Sequence, residues 1–448
     1  MVNSPADVSE KPFVLSRLLG ALAGLPKTSR YWVAYSGGLD SHVLLHGLFA
    51  LRGKLSAEVH AVYVDHGLQA ESGDWAVHCA AICQSLDISL QVIELHLKPE
   101  KGESLEAQAR RARYQAIESL MAEDDILLTA HHQDDQAETL LLQLLRGAGP
   151  AGLAAMPAEA GFGKGFHARP LLGLSRKALS LYGAEHQLTW IEDKSNNDLS
   201  YDRNYLRHQI IPLIEERWPS MGRTLSRSAQ HLGESQSLID ELAREELKGL
   251  LGVEPDTLSI LGLRELTPAR ARAVLRFWIR EVGFPLPDTV RLNRIFDEVV
   301  TARADRNPVV SWLGTEVRRY RDCLYLMSPL PELDSAVVLA WDLNAPLTLP
   351  SGLGQLKFER DTVGIASDLI EGKSVEVRFQ HSGERLRIGH LHSITFKNFY
   401  QQNAIPPWRR SRLPLLFING ELAAVADICV TAPFLGQPGL CLLWEYKY

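Results

Sequence analysis

The sequence predicts an α/β N-terminal domain on a parallel, twisted sheet, then a mainly helical middle domain and a small α+β C-terminal domain. Three observations predict it. Short β-rich runs alternate with helical ones from Tyr31 to Ala130, long amphipathic helical stretches follow Ser220, and strand-like pieces return from Pro308 onward. Alternation at that spacing builds βαβ units, whose parallel sheet is covered on both faces.

Taken in order, Phe13–Leu25 reads as an amphipathic helix, and its charge pattern is wrong for a signal peptide. The runs YWVAY (31–35), VHAVYVD (59–65), SLQVIEL (89–95) and DILLTA (125–130) read as buried strands. Between them lie the helical patterns HVLLHGLFALR, WAVHCAAICQSL and a long one from Leu105 to Met121. The Gly-rich segment 147–165 breaks the periodicity and is expected to form a loop or short hairpin over the site. The GFGKG inside it lacks Walker spacing and reads as a turn. The first domain is expected to span 1–217. A mainly helical domain follows over 218–330, with strand-like pieces at 308–328. LPELDSA (330–336) reads as a linker, and 331–448 as short strands around one helix.

With 448 residues the chain is long enough for two to four domains. Hydrophobic content of 46 % with 23 % charged residues is that of a globular protein with a sizeable core. Five scattered cysteines do not make a disulfide framework; Cys79 and Cys83, spaced i,i+4, read as packed thiols on one helix face. No apolar run reaches the roughly 18–20 residues that span a bilayer. A cytoplasmic protein is therefore expected, with no membrane and no obligate protein partner. The net charge of −7 argues against a uniformly basic nucleic-acid binder and leaves room for local basic faces.

The most informative segment is YWVAYSGGLDSHVLLHGL (31–48). A strand ends, Ser36, Gly37 and Gly38 make a tight turn, and a helix starts near Leu39, Asp40 and Ser41. Two glycines let backbone N–H groups approach an anion, and the helix N-terminus adds unpaired donors and positive partial charge. Ser36 and Ser41 can donate to the same oxygens. Asp40 would repel bare phosphate, so it points either to a Mg²⁺ bridge or to a helix cap. A lone S-G-G is an ordinary turn; S-G-G-x-D-S between a strand and a helix points to phosphate.

TAHHQDDQAETLLLQLLRG (129–147) follows the fourth strand. On its helix Asp134 and Glu138 are i,i+4, and Asp135 and Glu138 are i,i+3, so the carboxylates share a face. An acidic first turn suits the helix dipole. The group, with His132 before it, is more than a cap needs and can hold Mg²⁺ or a cationic amino group. Asp65 and His66 leave a strand end where base or ribose would lie. Arg110, Arg113 and Tyr114 share a helix face, from which either arginine can reach phosphates. Asp193, Ser195 and Asn196 form a loop before a helix bearing Arg203, Asn204 and Arg207, whose basic groups can clamp ATP or RNA phosphates.

The first of these segments resembles the PP-loop of the ATP pyrophosphatase superfamily. The set S-G-G-L-D-S, V-D-H-G-L, E-A-x-A-R-x-x-R-Y, H-H-x-D-D-Q-x-E-T and E-D-x-S-N…R-N-x-L-R, in this order, is similar to the tRNA(Ile)-lysidine synthetase family. The match covers the first 215 residues strongly and extends more weakly to 383–425; one departure is Lys194, where the family commonly has proline. The resemblance implies a PP-loop, Rossmann-like fold and a two-step reaction. O2 of the wobble cytidine of tRNA(Ile) with a CAU anticodon attacks the ATP α-phosphate, releasing pyrophosphate. The ε-amine of L-lysine then displaces AMP from C2. On this reading Ser36, Gly37, Gly38, Leu39, Asp40, Ser41, Asp65, His66, Arg110, Arg113 and His132 bind ATP, and Asp40 holds Mg²⁺. Asp134, Asp135 and Glu138 bind lysine, and Asp40, Asp134, Glu138, Arg113 and Arg207 act in catalysis.

RNA contacts are expected at Arg203 and along 374–412, which carries seven Lys/Arg against two acids, a net of +5. Arg378, Arg385, Arg387, Lys397, Arg409, Arg410 and Arg412 would meet phosphates. Trp408, with Phe396, Phe399 and Tyr400, would stack on bases. Three other readings fit less well. A tRNA thiolase typically needs paired cysteines, and no C-x-x-C is present. An amidotransferase relative needs a glutaminase nucleophile, for which no cysteine context exists. A non-catalytic RNA-binding protein would not need the intact loop and acidic helix.

Overall fold

Six strands carry the N-terminal sheet, and their order sets where its crevice lies. The computed structural model describes residues 13–67, 72–95, 105–303, 306–381, 383, 385–388 and 393–446. In chain order the elements are α1 (Phe13–Ala23), β1 (Arg30–Ala34), α2 (Leu39–Leu51), β2 (Glu58–Asp65), α3 (Ser72–Ser85), β3 (Ser89–Glu94), α4 (Leu105–Leu120), β4 (Ile126–Leu128) and α5 (Gln133–Leu145). There follow α6 (Pro150–Leu153), β5 (Glu159–Phe162), β6 (Gly165–Ala168), α7 (Arg176–Glu185), α8 (Asp202–Tyr205), α9 (Ile211–Arg217) and α10 (Met221–Lys248).

The sheet order is β3-β2-β1-β4-β6-β5, parallel except for the β5–β6 hairpin. The chain winds outward from β1 through β2 to β3, then returns to β4 on the other side of β1. That reversal opens a crevice at the carboxyl ends of β1 and β4, where open α/β sheets bind ligands. The middle of β1 and all of β4 are buried, as expected for central strands with helices on both faces. Val33, Leu44, Leu45, Leu48, Ile126 and Leu128 share one core with Leu18 of α1 and Leu179 of α7. Cys79 and Cys83 are buried in the same core, which pushes both thiols up to about 12; they pack rather than react.

The Gly-rich segment 147–165 turns at Gly163 within a hairpin, but not as a flap over the site. Its second strand is β6, hydrogen-bonded in the sheet beside β4. Gly163 has φ +56° at that turn, so GFGKG serves the chain reversal.

Backbone packing divides the chain into two compact units, Met1–Ile239 and Asp240–Tyr448. In the second unit, helices Ile260–Glu265, Pro268–Glu281 and Thr289–Arg294 pack on a four-stranded sheet around Trp278, Phe277 and Ile295. Two five-stranded antiparallel sheets, built from strands between Val338 and Glu445, follow with their own core at Leu356, Val377 and Leu416. No helix among the described residues is long and apolar enough to cross a membrane.

Candidate active site

The turn after β1 is built around Gly37. Its φ of +78° suits glycine, and a Cβ there would lie 2.7 Å from Ile191 Cδ1 and 3.1 Å from Cys79 Sγ. The Gly37 carbonyl accepts a 2.9 Å hydrogen bond from the Ile191 amide. Gly38 differs. Its φ and ψ, −74° and 164°, are open to any residue, and a Cβ would meet nothing nearer than Ser36 Oγ at 3.6 Å. The fold explains the first glycine; at the second, neither backbone conformation nor neighbouring atoms require one. Ser41 Oγ holds the turn, 3.1 Å from Ser36 Oγ, accepting from the Ser36 amide and donating to the Gly38 carbonyl. Leu39 and Asp40 open α2, whose amides face the crevice end of β1.

Across the switch point, His132 caps α5 and joins the two loops. Its Nε2 lies 3.6 Å from Asp40 Oδ2 and 3.4 Å from Asp135 Oδ2, and its amide donates to Asp135 Oδ2 at 2.9 Å. Burial disfavours the charged imidazole, but Asp40, Asp135 and Asp134 outweigh it and raise the His132 pKa. Asp40 Oδ1 is buried with no hydrogen-bond partner among the described residues.

The carboxylates of α5 divide into two kinds. Glu138 is 1 % exposed and Asp135 8 %, and both are engaged by guanidiniums. Arg207 Nε donates to Glu138 Oε1 at 2.6 Å and Nη2 to Oε2 at 2.8 Å. Arg203 Nε donates to Glu138 Oε2 at 2.7 Å and Nη2 to Asp135 Oδ1 at 2.9 Å. Burial would raise the Asp135 pKa, but His132 and Arg203 bring it below the usual carboxylate range. Arg203, expected at RNA, is committed inward. Asp134 is the other kind. Burial raises its pKa despite nearby His132, and it pairs with neither arginine. The arginines are carried by the helical run from α8 into α9 and are preceded by the loop at Asp193. The Asp193 carboxylate accepts from the Ser195 amide, and Asn204 Nδ2 donates to the Ser195 carbonyl.

On the β2 side Asp65 Oδ1 accepts from the Gly67 amide at 2.8 Å, so one of its oxygens shapes the turn. Arg113 Nε donates to His66 Nε2 at 2.9 Å; burial and that guanidinium push the His66 pKa down to about 4. A neutral His66 accepting at Nε2 carries its proton on Nδ1, and that nitrogen is buried without a partner among the described residues. Arg110 lies over the Tyr114 ring, 5.3 Å away. The Glu106 side chain lies outside the described residues.

Sequence reasoning gave no role to one polar group in this unit: Thr129, His131, and His167 and Arg169 on and after β6. His131 is the first histidine of the H-H-x-D-D-Q-x-E-T motif and Thr129 precedes it, whereas β6 carries no recognisable motif. Thr129 Oγ1 lies 2.8 Å from both His131 Nδ1 and His167 Nε2, and Arg169 Nη2 is 3.2 Å from His167 Nδ1.

The residues fit magnesium at one point. A buried carboxylate oxygen without a donor suits a hard divalent cation that takes its other ligands from phosphates and water. No group of three or more His, Cys, Asp or Glu able to hold a metal occurs among the described residues. Asp40 alone would therefore supply the protein's ligand to a magnesium ion carried in with a nucleotide.

The basic stretch of the second unit needs correction. Phe396, Phe399, Tyr400 and Trp408 are 3 %, 1 %, 8 % and 9 % exposed, too buried to stack on bases. Phe396, Phe399 and Tyr400 form a core with Leu415 and Phe417, while Trp408 packs edge-on against Tyr325. Arg412 is also buried. Arg378 pairs with Glu376 at 2.7 Å, Arg409 with Glu254 at 3.1 Å, and Arg410 donates to the Ile405 carbonyl. Arg385 donates to the Ser393 hydroxyl and carbonyl. Arg385, Arg387 and Lys397 are exposed.

A family model described as a PP-loop domain matches residues 14–214. Models of the TilS substrate binding domain and the TilS substrate C-terminal domain match 258–325 and 375–444. The tRNA(Ile)-lysidine synthase of Coxiella burnetii is 41 % identical over 424 residues, covering 94 % of each chain. That of Alkalilimnicola ehrlichii is 41 % identical over 431 residues, 95 % of each. That of Pectobacterium atrosepticum is 41 % identical over 417 residues, 92 % of this chain and 94 % of the other.

Proposed function

The chain belongs to the tRNA(Ile)-lysidine synthase family, and we propose from that premise that it ligates L-lysine to C2 of the wobble cytidine of tRNA(Ile) with a CAU anticodon. ATP drives the ligation through an adenylated cytidine, and AMP and pyrophosphate are the other products. The modified base pairs with A in place of G, so the codon read changes from AUG to AUA and the tRNA from methionine to isoleucine identity. The observation that carries the reading is the placing of an anion cradle and an acidic helix on opposite sides of one switch point, joined by His132.

The chemistry asks for both halves. Cytosine O2 is a poor leaving group until adenylation makes it part of AMP. The amides of Gly38, Leu39 and Asp40, with the Ser36 hydroxyl, would receive the ATP phosphates, while Ser41, its proton given to the Gly38 carbonyl, holds the turn. Asp40 Oδ1 would hold Mg²⁺, whose charge offsets that of the leaving pyrophosphate. Arg113 and Arg207 would offset charge on the α-phosphate, and Asp65, His66, Arg110 and His132 would border the nucleotide.

The lysine ammonium must lose a proton before it can attack. Asp134, with its raised pKa, a hydrogen bond from the Arg176 amide and no guanidinium partner among the described residues, is the carboxylate best suited to take that proton. Asp135 and Glu138, held by Arg203 and Arg207, give the amino-acid pocket both signs of charge, which suits a zwitterion. In the second unit Arg385, Arg387 and Lys397 supply phosphate contacts. The division 1–217, 218–330 and 331–448 and a cytoplasmic location complete the proposal.

Purified protein mixed with ATP, labelled lysine and unmodified transcripts tests it. Lysine should enter the CAU isoleucine transcript with release of AMP and pyrophosphate. Failure to label any transcript while ATP is bound would refute the assignment.

A further inference from the structure

Arginine is a donor only, so Arg169 Nη2, 3.2 Å from His167 Nδ1, makes that nitrogen an acceptor. A neutral His167 must then carry its proton on Nε2, from which it donates to Thr129 Oγ1 at 2.8 Å. Thr129 is 7 % exposed, and among the described residues its hydroxyl proton has one acceptor, His131 Nδ1 at 2.8 Å. The chain Arg169 → His167 → Thr129 → His131 therefore runs in one direction and leaves His131 with its proton on Nε2.

The same surroundings keep the rings uncharged. Burial and Arg169 push His167 down to about 3. Burial, opposed by Asp135 and reinforced by Arg169, pushes His131 down to about 4. His167 is buried, whereas His131 is only half-buried, so Nε2 of His131 is the open end of the chain. It adjoins His132, which touches Asp40, at the carboxyl end of β4.

We infer that His131 reads the acceptor base as a fixed, neutral Nε2–H donor to N3 of a pyrimidine, and that Thr129, His167 and Arg169 are positioning residues that fix this polarity. The inference rests on the proposed reaction and adds a reason for choosing cytidine over uridine. Cytosine presents lone pairs at N3 and O2. Uracil presents N3–H, which would meet Nε2–H donor to donor, and an unpaired donor in a closed site is a strong reason for rejection. An imidazole free to change tautomer would accept from uracil instead. A neutral ring also avoids repelling the positive charge that a cytosine gains when O2 is adenylated.

Two measurements decide it. Imidazole nitrogen shifts of histidine-labelled protein, assigned with His131→Gln and His167→Gln, should show both rings neutral and protonated at Nε2 at pH 7. His131 protonated at Nδ1, or charged, would overturn the inference without using any variant's activity. Second, kcat/KM for lysine transfer is compared between transcripts with C and with U at the wobble position. Arg169→Met and Thr129→Val should each narrow the ratio by about tenfold while KM for ATP stays put, and Arg169→Lys should restore part of it. A ratio unchanged in both variants, even with slower turnover, would mean the chain is structural only. Wild-type protein inactive on every transcript would refute the parent reaction and the specificity role with it, whereas the nitrogen shifts report the polarity independently.

Discussion

The switch-point site and the basic stretch 374–412 are both dense in charged groups flanked by aromatic or glycine residues. Both keep some buried polar atoms unmatched among the described residues, Trp408 Nε1 and Arg412 Nη1 in the stretch; they differ in how far the fold uses their charged groups. At the switch point, polar atoms remain without protein partners: Asp40 Oδ1, His66 Nδ1 and His132 Nδ1 are all buried and unmatched among the described residues. In the basic stretch, most of the expected contacts are consumed by the fold. Trp408 packs against Tyr325, Arg318 and Arg378 lie over the Trp408 and Phe417 rings, and Arg409 pairs with Glu254. Ordered spacing between a strand and a helix points to chemistry. Composition alone does not separate a binding face from a core with a charged rim.

The sharpest way to break this contrast is Glu138→Ala. Removing a carboxylate that is 1 % exposed leaves Arg203 and Arg207 with Asp135 alone, and should cost about 3–5 kcal/mol in urea unfolding. An unchanged midpoint would make the network a surface pair. Trp408→Ala should lower stability by about 3 kcal/mol, as for a large core truncation. Loss of tRNA affinity at full stability would instead restore the stacking role.

Asp40→Asn acts on the other side of the comparison. Pyrophosphate release should fall roughly 100-fold with little change in melting temperature; undiminished release would dismiss the magnesium role. A smaller effect concerns acid. With its folded pKa near 3, His167 stays neutral while the unfolded chain takes up a proton below about pH 6.5. Stability therefore falls as pH drops, by about 2 kcal/mol between pH 6.5 and 5 from this group. His167→Gln should make that slope shallower in a melting series, and an identical slope would remove His167 as a cause. Smallest is Lys397→Ala, which should weaken tRNA binding a few-fold and reduce the salt slope by about one. No change in slope would take Lys397 off the RNA face.

The sequence made the parallel sheet, its four early strands and both motif loops legible, because periodicity and strand-to-helix junctions are local signals. The hairpin at 159–168 was legible as a turn but not as sheet, since its pairing with β4 depends on distant residues. Ile191 was invisible for the same reason: only the folded chain shows it filling the space that a side chain at position 37 would need. Arg203 and Arg207 could be placed on one helix, but not their shared capture of Glu138, because local spacing does not predict partners across the fold. In the basic stretch, net charge was countable, while the burial of Phe396 and Phe399 depended on strands yet to come.

One stretch of backbone links what happens at the two ends of the site. The Thr189 carbonyl accepts from His42 Nδ1 at 2.9 Å, the Ile191 amide donates to the Gly37 carbonyl, and the same stretch runs on to the guanidiniums gripping Glu138. One covalent segment, 189–207, is thus bonded at its start to the turn after β1 and at its end to the carboxylates of α5, so the same run of backbone sets the position of both halves of the site.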